Sequence, residues 1–198
     1  MNSKPAKTSV PIHPIIENRW SPRAFDANKT IADSLLMSVL EAAHWAPSCM
    51  NEQPWRYLVC VKAQQPEAWQ TLLNCLGEKN QQWAVNAPIL ILAVAMDYFN
   101  NTDKLNRWAA YDTGASCLNL CLQATALGLV THQIGGFDIA TTRSAFALPI
   151  NVTPMSVIAL GYQAEASLLP ELLQEKELAD RQRAPINQRF WFGNWQSY

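Results

Sequence analysis

The feature that most limits how this chain can fold is a run of ten consecutive apolar residues, "APILILAVAM", from Ala87 to Met96. A helix that spans a bilayer needs about 20 such residues, so this run is too short to be one. Its inner part, "PILILAVA" from Pro88 to Ala95, is rich in Ile, Leu and Val, which is typical of a buried strand. The sequence therefore predicts a sheet that the rest of the chain must cover.

Two further runs have the same character. They are "WRYLVCV" from Trp55 to Val61 and "MSVIALG" from Met155 to Gly161, and Pro, Asn or Gly bounds each of them. Both are predicted to be buried strands. The segments between the three runs have helical patterns instead.

The first two predicted helices are marked by their ends. One begins at a cap formed by Thr30, with Asp33 three residues later, and stops before Pro47. Another begins at Pro66, which suits a first helical position, and ends at Gly77.

The longest helical pattern runs from Asn106 to Leu129 and has small or apolar residues around most of its circumference. Such a helix is buried inside a protein or between subunits. One more helix begins at a capping Asp138 and ends at Pro149. The predicted fold class is α+β, with a small mixed or antiparallel sheet surrounded by helices around a long central helix.

Charge and cysteine content exclude several classes of function. The net charge is −1, so no global field recruits nucleic acid or an anionic membrane. Five cysteines without a C-x-x-C pair and three dispersed histidines predict neither a disulfide framework nor a metal site. Pro11 and Pro14 interrupt the apolar part of the first residues, which makes a poor signal peptide. We expect a reduced, cytoplasmic protein with no nucleic-acid or membrane partner.

Arginines form two closely spaced pairs near opposite ends of the chain. Arg19 and Arg23 have Ser21 between them, and Arg181 and Arg183 follow much later. Guanidinium forks with a hydroxyl match the charge and the acceptor oxygens of a phosphate monoester. The alternative is that both pairs are solvated surface charges.

Two amides and a glycine pair are further candidates for ligand contact. Asn51 and Gln53 can each donate and accept, which suits the edge of an uncharged heterocycle. The alternative is that they cap the turn before the strand at Trp55. Gly135 and Gly136 leave their backbone N–H groups open to a ligand, although most such pairs are only turns.

No residue is nominated as catalytic. Cys49 follows His44 by five residues, but the predicted helix would turn the two side chains apart, so Cys49 is interpreted as a packing residue. Cys117 and Cys121 share one helix face and are expected to pack in the core. Walker-type, dinucleotide-binding and nucleophile-elbow motifs are absent from the sequence.

Taken in order, the stretches "RWSPRAF", "AAHWAPSCMNEQPWRY", "NQQWAVNAPILI", "ALGLVTHQIGGFD" and "RQRAP" resemble the FMN-dependent nitroreductase family. The similarity runs from about Ile15 to Pro185, and its most specific string is Pro-Ser-x-x-Asn-x-Gln-Pro-Trp from Pro47 to Trp55. The resemblance implies a nitroreductase-like fold, a homodimer, and FMN bound where the two subunits meet.

The resemblance also implies which residues hold the cofactor. Arg19 and Ser21, together with Arg181 and Arg183, would bind the FMN phosphate and ribityl chain, and Arg23 would reach the pyrimidine edge of the ring.

Other contacts with the ring follow from the same resemblance. Asn80 would contact the ring, while Gly135 and Gly136 would offer N–H groups to flavin O4 and N5. Leu120 would border the substrate. The partner subunit would supply a loop that contains Pro47, Ser48, Cys49 and Asn51.

This chain departs from the family pattern at several points. Many relatives have a glutamate at the position of Gly135 and a lysine at the position of Trp83, so one carboxylate and one cation are missing near the ring. Only the segment from Asp97 to Asn106 separates the strand from the central helix, where relatives often insert a helix over the substrate. The pocket is therefore expected to be open.

The resemblance implies an enzyme in which NADH or NADPH reduces bound FMN, leaves, and is replaced by an acceptor such as a nitroaromatic or a quinone. One alternative is an FMN-binding protein of the same fold that does not turn over nicotinamide, or that consumes its flavin. A more distant one is a helical interaction module without cofactor.

Residues 1–198 are predicted to form a single domain, with an N-terminal arm at 1–14 and an aromatic tail at 184–198. The tail is too short to build a core of its own, so it is expected to lie on the partner subunit. Its aromatic residues are Phe190, Trp191, Phe192, Trp195 and Tyr198.

Overall fold

The computed structural model describes residues 3–195 and is built around a four-stranded sheet in the order β1-β2-β4-β3. All three pairings are antiparallel, so of the two predicted kinds of sheet the antiparallel one is found. The strands are β1 (Trp55–Val61), β2 (Ile89–Met96), β3 (Val130–Ile134) and β4 (Val152–Gly161). Within the described residues the α-helices are α1 (Pro14–Asn18), α2 (Asp33–His44), α3 (Pro66–Asn74), α4 (Glu78–Ala84), α5 (Ala109–Ala126), α6 (Ile139–Ala145) and α7 (Glu171–Leu178).

The three predicted strands are confirmed. β1 has the predicted bounds, β2 begins after Pro88, and β4 starts three residues earlier than its apolar run, at Val152. β2 is buried along almost its whole length because it lies inside the sheet and both faces are covered. β3 was not predicted, since Thr131, His132 and Gln133 give it no apolar run.

Two hydrophobic cores lie on opposite faces of the sheet. α2 and α5 form one core with Ile89, Ile91 and Ala93 of β2. α3 and α4 form the other core with alternate residues of the same strand. A large apolar side chain that is fully buried contributes about 1.5 to 3 kcal/mol, so the paired cores are what hold the sheet in place.

The helix ends correct two predictions and confirm two. Ala32 is the N-cap of α2, with no side-chain hydrogen bond, so the predicted cap at Thr30 was wrong. Gly77 does not end α3, which stops at Asn74; it is the N-cap of α4 instead. Pro66 does begin α3, and Asp138 does cap α6 by accepting from the Thr141 N–H at 2.6 Å. α1, α4 and α7 are short and were not predicted.

The α2–α5 outer face is apolar and exposed in the single chain. It consists of Met37 on α2, Trp45 at the C-cap of α2, and Tyr111, Gly114 and Leu118 on α5. The last three are spaced i, i+3, i+7, which puts them on one stripe of the long helix. Within residues 3–195, no helix combines the length and the apolar character that crossing a bilayer demands.

Candidate functional site

Four arginines are available to an anion, and these residues, Arg19, Arg23, Arg181 and Arg183, are called the basic cluster below. Burial and the charges of Arg19 and Arg183 lower the pKa of Arg181, which means that these guanidinium groups are close enough to repel one another. Among residues 3–195, none of the four is in a salt bridge with a carboxylate. Guanidinium groups held close together without salt-bridge partners favour the binding of an anion.

The individual contacts show how three of the four arginines are held. Arg19 Nη1 donates to Ser21 Oγ at 3.3 Å. Arg181 Nη1 donates to the carbonyls of Lys4 at 2.6 Å and Glu17 at 2.7 Å, which ties the N-terminal arm to the segment after α7. Arg183 is exposed and bonds only its neighbouring carbonyl, at Gln182, within the described residues.

A carboxylate that the sequence analysis did not identify binds the main chain at the basic cluster. Glu177 of α7 is 1% exposed, and its two carboxylate oxygens accept from the Arg23 N–H at 2.9 and 3.0 Å. Oε1 also accepts from the Ala24 N–H at 3.2 Å. A buried carboxylate is costly unless it is hydrogen-bonded, and here main-chain donors supply those bonds.

His132 of β3 lies on the other side of the same segment. Its Nδ1 is 3.0 Å from the carbonyl oxygen of Pro22, and its ring is tilted against Trp83 with centroids 4.5 Å apart. Burial lowers the pKa of His132 to about 4, and the nearby charges of Arg23 and Arg19 add to this effect, against the hydrogen bonds to the Pro22 and Ser21 backbone. His132 is therefore neutral at pH 7, and its Nδ1 carries the proton because a carbonyl can only accept.

Trp83 is a core residue and does not project into solvent. It is 1% exposed and stacks on Phe25 at a centroid distance of 6.0 Å, besides its contact with His132. This position therefore contributes packing and no charge.

A corner formed by Asn80 and the glycine pair lies beyond the end of β3. Asn80 Nδ2 donates to Gly136 O at 3.0 Å, and the Gly77 N–H donates to the same oxygen at 2.9 Å. A Cβ at Gly136 would meet Asn80 Nδ2 at 2.7 Å, so a larger residue there would displace the Asn80 amide. Nothing lies within 4 Å of a Cβ built at Gly135, which leaves open space there.

The glycine corner offers donors as well as space. Within residues 3–195, the N–H groups of Gly135 and Gly136 donate to no protein acceptor. His132, whose Nδ1 contacts the Pro22 carbonyl next to Arg23, precedes Gly135 by three residues, so β3 connects the glycine corner to the segment that carries Arg23.

The loop from Pro47 to Pro54 has an unusual backbone. Met50, Asn51 and Gln53 all have positive φ, at 53, 57 and 48°. Non-glycine residues with positive φ cost free energy and persist only where neighbours hold them. Ser48 Oγ accepts from the Gln53 N–H at 3.0 Å, and Asp112 Oδ2 of α5 accepts from the Cys49 N–H at 3.0 Å.

In the single chain this loop is separate from the basic cluster. The hydrogen bonds that hold it lead to Asp112 and, through Glu52, to Asn100. The loop borders a cleft of about 580 Å³ that His44, Tyr57 and Asn100 also line. Of the predicted site residues, those at Pro47 to Asn51 are therefore not brought to the others within one chain.

Two other predictions concern buried side chains. Leu120 is fully buried between α5 and the sheet, and within residues 3–195 it lines none of the described clefts. Burial raises the pKa of Cys117 to about 11, so this thiol stays protonated and packs, as expected. In the described part of the chain, no three His, Cys, Asp or Glu side chains are grouped as metal ligands.

The residues that sequence reasoning missed gave weak signals. Glu177 is the one buried residue of α7, a helix otherwise dominated by exposed side chains. His132 lies on a strand that was itself missed, and Asp112 lies among small residues on α5. A single buried polar residue produces no periodic pattern.

Comparison with known proteins gives consistent results. A family model described as the nitroreductase family matches residues 16–162. A crystal structure of an oxidoreductase containing FMN is 31% identical and covers 100% of both chains, with a TM-score of 0.92. A structure from Desulfovibrio desulfuricans, provisionally named a nitroreductase and in complex with FMN, is 25% identical with a TM-score of 0.73, over 96% of this chain and 100% of its own. A protein of Methanothermobacter thermautotrophicus, provisionally named an NADH dehydrogenase/NAD(P)H nitroreductase, is 28% identical over 76% of each chain.

Proposed function

The chain belongs to the nitroreductase family, and from that premise we propose that it is an FMN-dependent NAD(P)H oxidoreductase. Bound FMN would supply the chemistry, taking a hydride from NADH or NADPH and passing it in a second half-reaction to an acceptor such as a nitroaromatic or a quinone. The FMN in two similar structures supports this cofactor.

The observation that carries the proposal is the basic cluster, whose guanidinium groups form no salt bridge among the described residues, together with the glycine corner that follows β3. FMN needs a dianion site for its phosphate and donors at the ring edge. The guanidinium groups of Arg19, Arg181 and Arg183 with the Ser21 hydroxyl suit the first, and the open N–H groups of Gly135 and Gly136 suit the second. The donor set present therefore fits this cofactor.

The residues of the chain bind and orient rather than transfer protons. Arg19, Ser21, Arg181 and Arg183 would hold the phosphate and ribityl chain, with charge-assisted bonds worth about 1.5 to 3 kcal/mol each. Arg23 would place its charge at the pyrimidine edge, where reduction accumulates negative charge. Asn80 fixes Gly136 and so the direction of the N–H groups in the glycine corner.

We further infer that the active unit is a homodimer. The α2–α5 outer face leaves large apolar side chains in water, and Tyr111 is 78% exposed. The Pro47 to Pro54 loop has three non-glycine residues at positive φ and, among the described residues, no hydrogen bond to the basic cluster, so a partner subunit is the means by which the loop could reach a cofactor.

An anaerobic titration tests the proposed activity. Protein reconstituted with FMN should be bleached by NADH or NADPH, and a nitroaromatic or quinone should restore the oxidised spectrum. Comparing the two nucleotides gives the donor preference. A protein that stays colourless after incubation with FMN would refute the proposal.

One alternative has an observation in its favour. Because Trp83 is buried and Gly135 has no side chain, the site has fewer charged groups than the family pattern suggests. This favours an FMN-binding protein without nicotinamide turnover. That alternative predicts a coloured protein that dithionite reduces and that neither nucleotide bleaches.

A further inference from the structure

The peptide unit between Pro22 and Arg23 is held by two side chains from distant elements. Its carbonyl accepts from His132 Nδ1 of β3 at 3.0 Å, and its N–H donates to the Glu177 carboxylate of α7 at 2.9 and 3.0 Å. Both polar groups of one peptide are thus occupied although it belongs to no helix or strand.

The Glu177 and His132 side chains, together called the clamp below, are themselves held in place. Glu177 is almost completely buried and binds the Ala24 N–H as well. His132 lies against Trp83, which stacks on Phe25 in the core. The clamp therefore connects the loop that carries Arg23 to both α7 and the sheet.

A peptide that is bonded on both sides cannot rotate about its flanking bonds without losing charge-assisted or buried hydrogen bonds. Its plane sets the direction in which the next side chain leaves the backbone. The next side chain is Arg23, whose guanidinium has no salt-bridge partner among the described residues.

We propose that Glu177 and His132 are positioning residues that fix the Pro22–Arg23 peptide and thereby direct the Arg23 guanidinium to the bound flavin. This inference rests on the proposed function, because it needs FMN in the site. It assigns a role to two residues whose side chains bind main-chain groups.

The measurement is the midpoint potential of bound FMN in a double-mutant cycle of Glu177→Gln and Arg23→Ala. The glutamine offers one carbonyl oxygen and an NH₂ group that faces main-chain donors, so it loosens the peptide while preserving size. Glu177→Gln should reduce the preference for reduced flavin about tenfold, which lowers the two-electron potential by about 30 mV. In the Arg23→Ala background the same substitution should have no further effect, because the group it positions is gone.

Glu175→Gln is the matched control, since Glu175 is an exposed carboxylate on the same helix. It removes the same formal charge from the same helix and should leave the potential unchanged. His132→Asn tests the other side of the clamp, because the asparagine amide can still donate to Pro22 O and should lower the potential less than Glu177→Gln. If Glu177→Gln does not fold, Glu177→Asp replaces it in the cycle, because a carboxylate shorter by one methylene also withdraws from the peptide.

The outcomes separate this inference from the function on which it rests. A parent protein that binds no FMN refutes both. A parent that binds FMN, with equal shifts from Glu177→Gln in both backgrounds, refutes the positioning role alone. The same holds if Glu177→Gln behaves like Glu175→Gln.

Discussion

Arg181 and Arg183 differ in how much of each guanidinium is already engaged. Arg181 Nη1 binds the Lys4 and Glu17 carbonyls, whereas Arg183 is exposed. Arg183→Ala should therefore weaken FMN binding by about 1.5 to 3 kcal/mol without changing the free energy of unfolding of the apoprotein. Arg181→Ala should reduce both quantities. Fluorescence titration with FMN and urea unfolding measure them.

Riboflavin provides the control for these two variants because it lacks the phosphate. Replacing both arginines should cost roughly 3 to 6 kcal/mol of FMN affinity if the effects add, and leave riboflavin affinity unchanged. Equal losses for FMN and riboflavin would place the arginines away from the phosphate.

His132 makes stability depend on pH. Its pKa is about 4 in the folded state against an ordinary value of 6.5, so the unfolded chain binds the proton more readily. The stabilising contribution is complete above pH 6.5 and is lost as the pH falls toward 4, with a loss of about 2 kcal/mol at pH 5.

The variant His132→Asn keeps a donor for Pro22 O but does not titrate near these pH values. Its free energy of unfolding should fall less between pH 7 and pH 5 than that of the parent, whatever its value at pH 7. Urea denaturation at both pH values gives the comparison. An equal fall in both proteins would mean that another group causes the acid sensitivity.

At the scale of elements, the Pro47 to Pro54 loop depends on one carboxylate of α5. Asp112→Ala leaves the Cys49 N–H without its acceptor, which should cost about 1 to 3 kcal/mol of stability. If a partner subunit lends this loop to the cofactor, FMN affinity should fall as well, although Asp112 is remote from the basic cluster. Thermal unfolding and FMN titration give the two effects.

Asp103→Ala is the matched control because Asp103 is an exposed aspartate in the segment just before α5. It should change neither quantity. A loss of stability in Asp112→Ala with unchanged FMN affinity would contradict a shared site.

The elements differ in how far the sequence predicts them. β1, β2 and β4 follow from apolar runs because burial on two faces demands such runs. β3 is an edge strand with His132 and Gln133 exposed or partly exposed, so its sequence is mixed. Gly77 was assigned to the wrong helix, since an N-cap and a C-terminal glycine look alike without their backbone angles.

The candidate site was predicted only in part, for a similar reason. Its arginines, amides and glycines are recognisable by residue type and by family resemblance. The residues that hold them, Glu177, His132 and Asp112, act through long-range contacts with the main chain. A hydrogen bond to the main chain of a distant segment cannot be predicted from residue types alone, so these contacts became visible only in the folded structure.

At the scale of the whole molecule, the aromatic tail at 184–198 is the segment whose removal would test how the subunits assemble. Phe192 is 99% exposed, Phe190 and Trp195 are also exposed, and the rings of Trp191 and Trp195 are 4.5 Å apart. Tyr198, the last aromatic residue of the predicted tail, lies outside the described residues. Covering this surface with a partner would contribute about 25 cal/mol per Å² of apolar area.

Deletion from Phe190 onward should therefore weaken dimerisation and FMN binding together, because occupancy of a shared site is linked to assembly. Sedimentation with and without FMN measures both effects. A truncated protein that dimerises as tightly as the parent would show that the tail covers its own chain. A flavin-loaded monomer would rule out the shared site.

The clamp on the Pro22–Arg23 peptide has a consequence for biosynthesis. Glu177 follows Arg23 by 154 residues, so a ribosome working at about 5 to 20 residues per second makes it roughly 8 to 30 s later. The Arg19 to Arg23 segment emerges early but has no fixed direction until α7 is complete. If the basic cluster binds FMN as proposed, cofactor capture should be one of the last events in making this protein, and a nascent chain that stalls before α7 should accumulate without flavin.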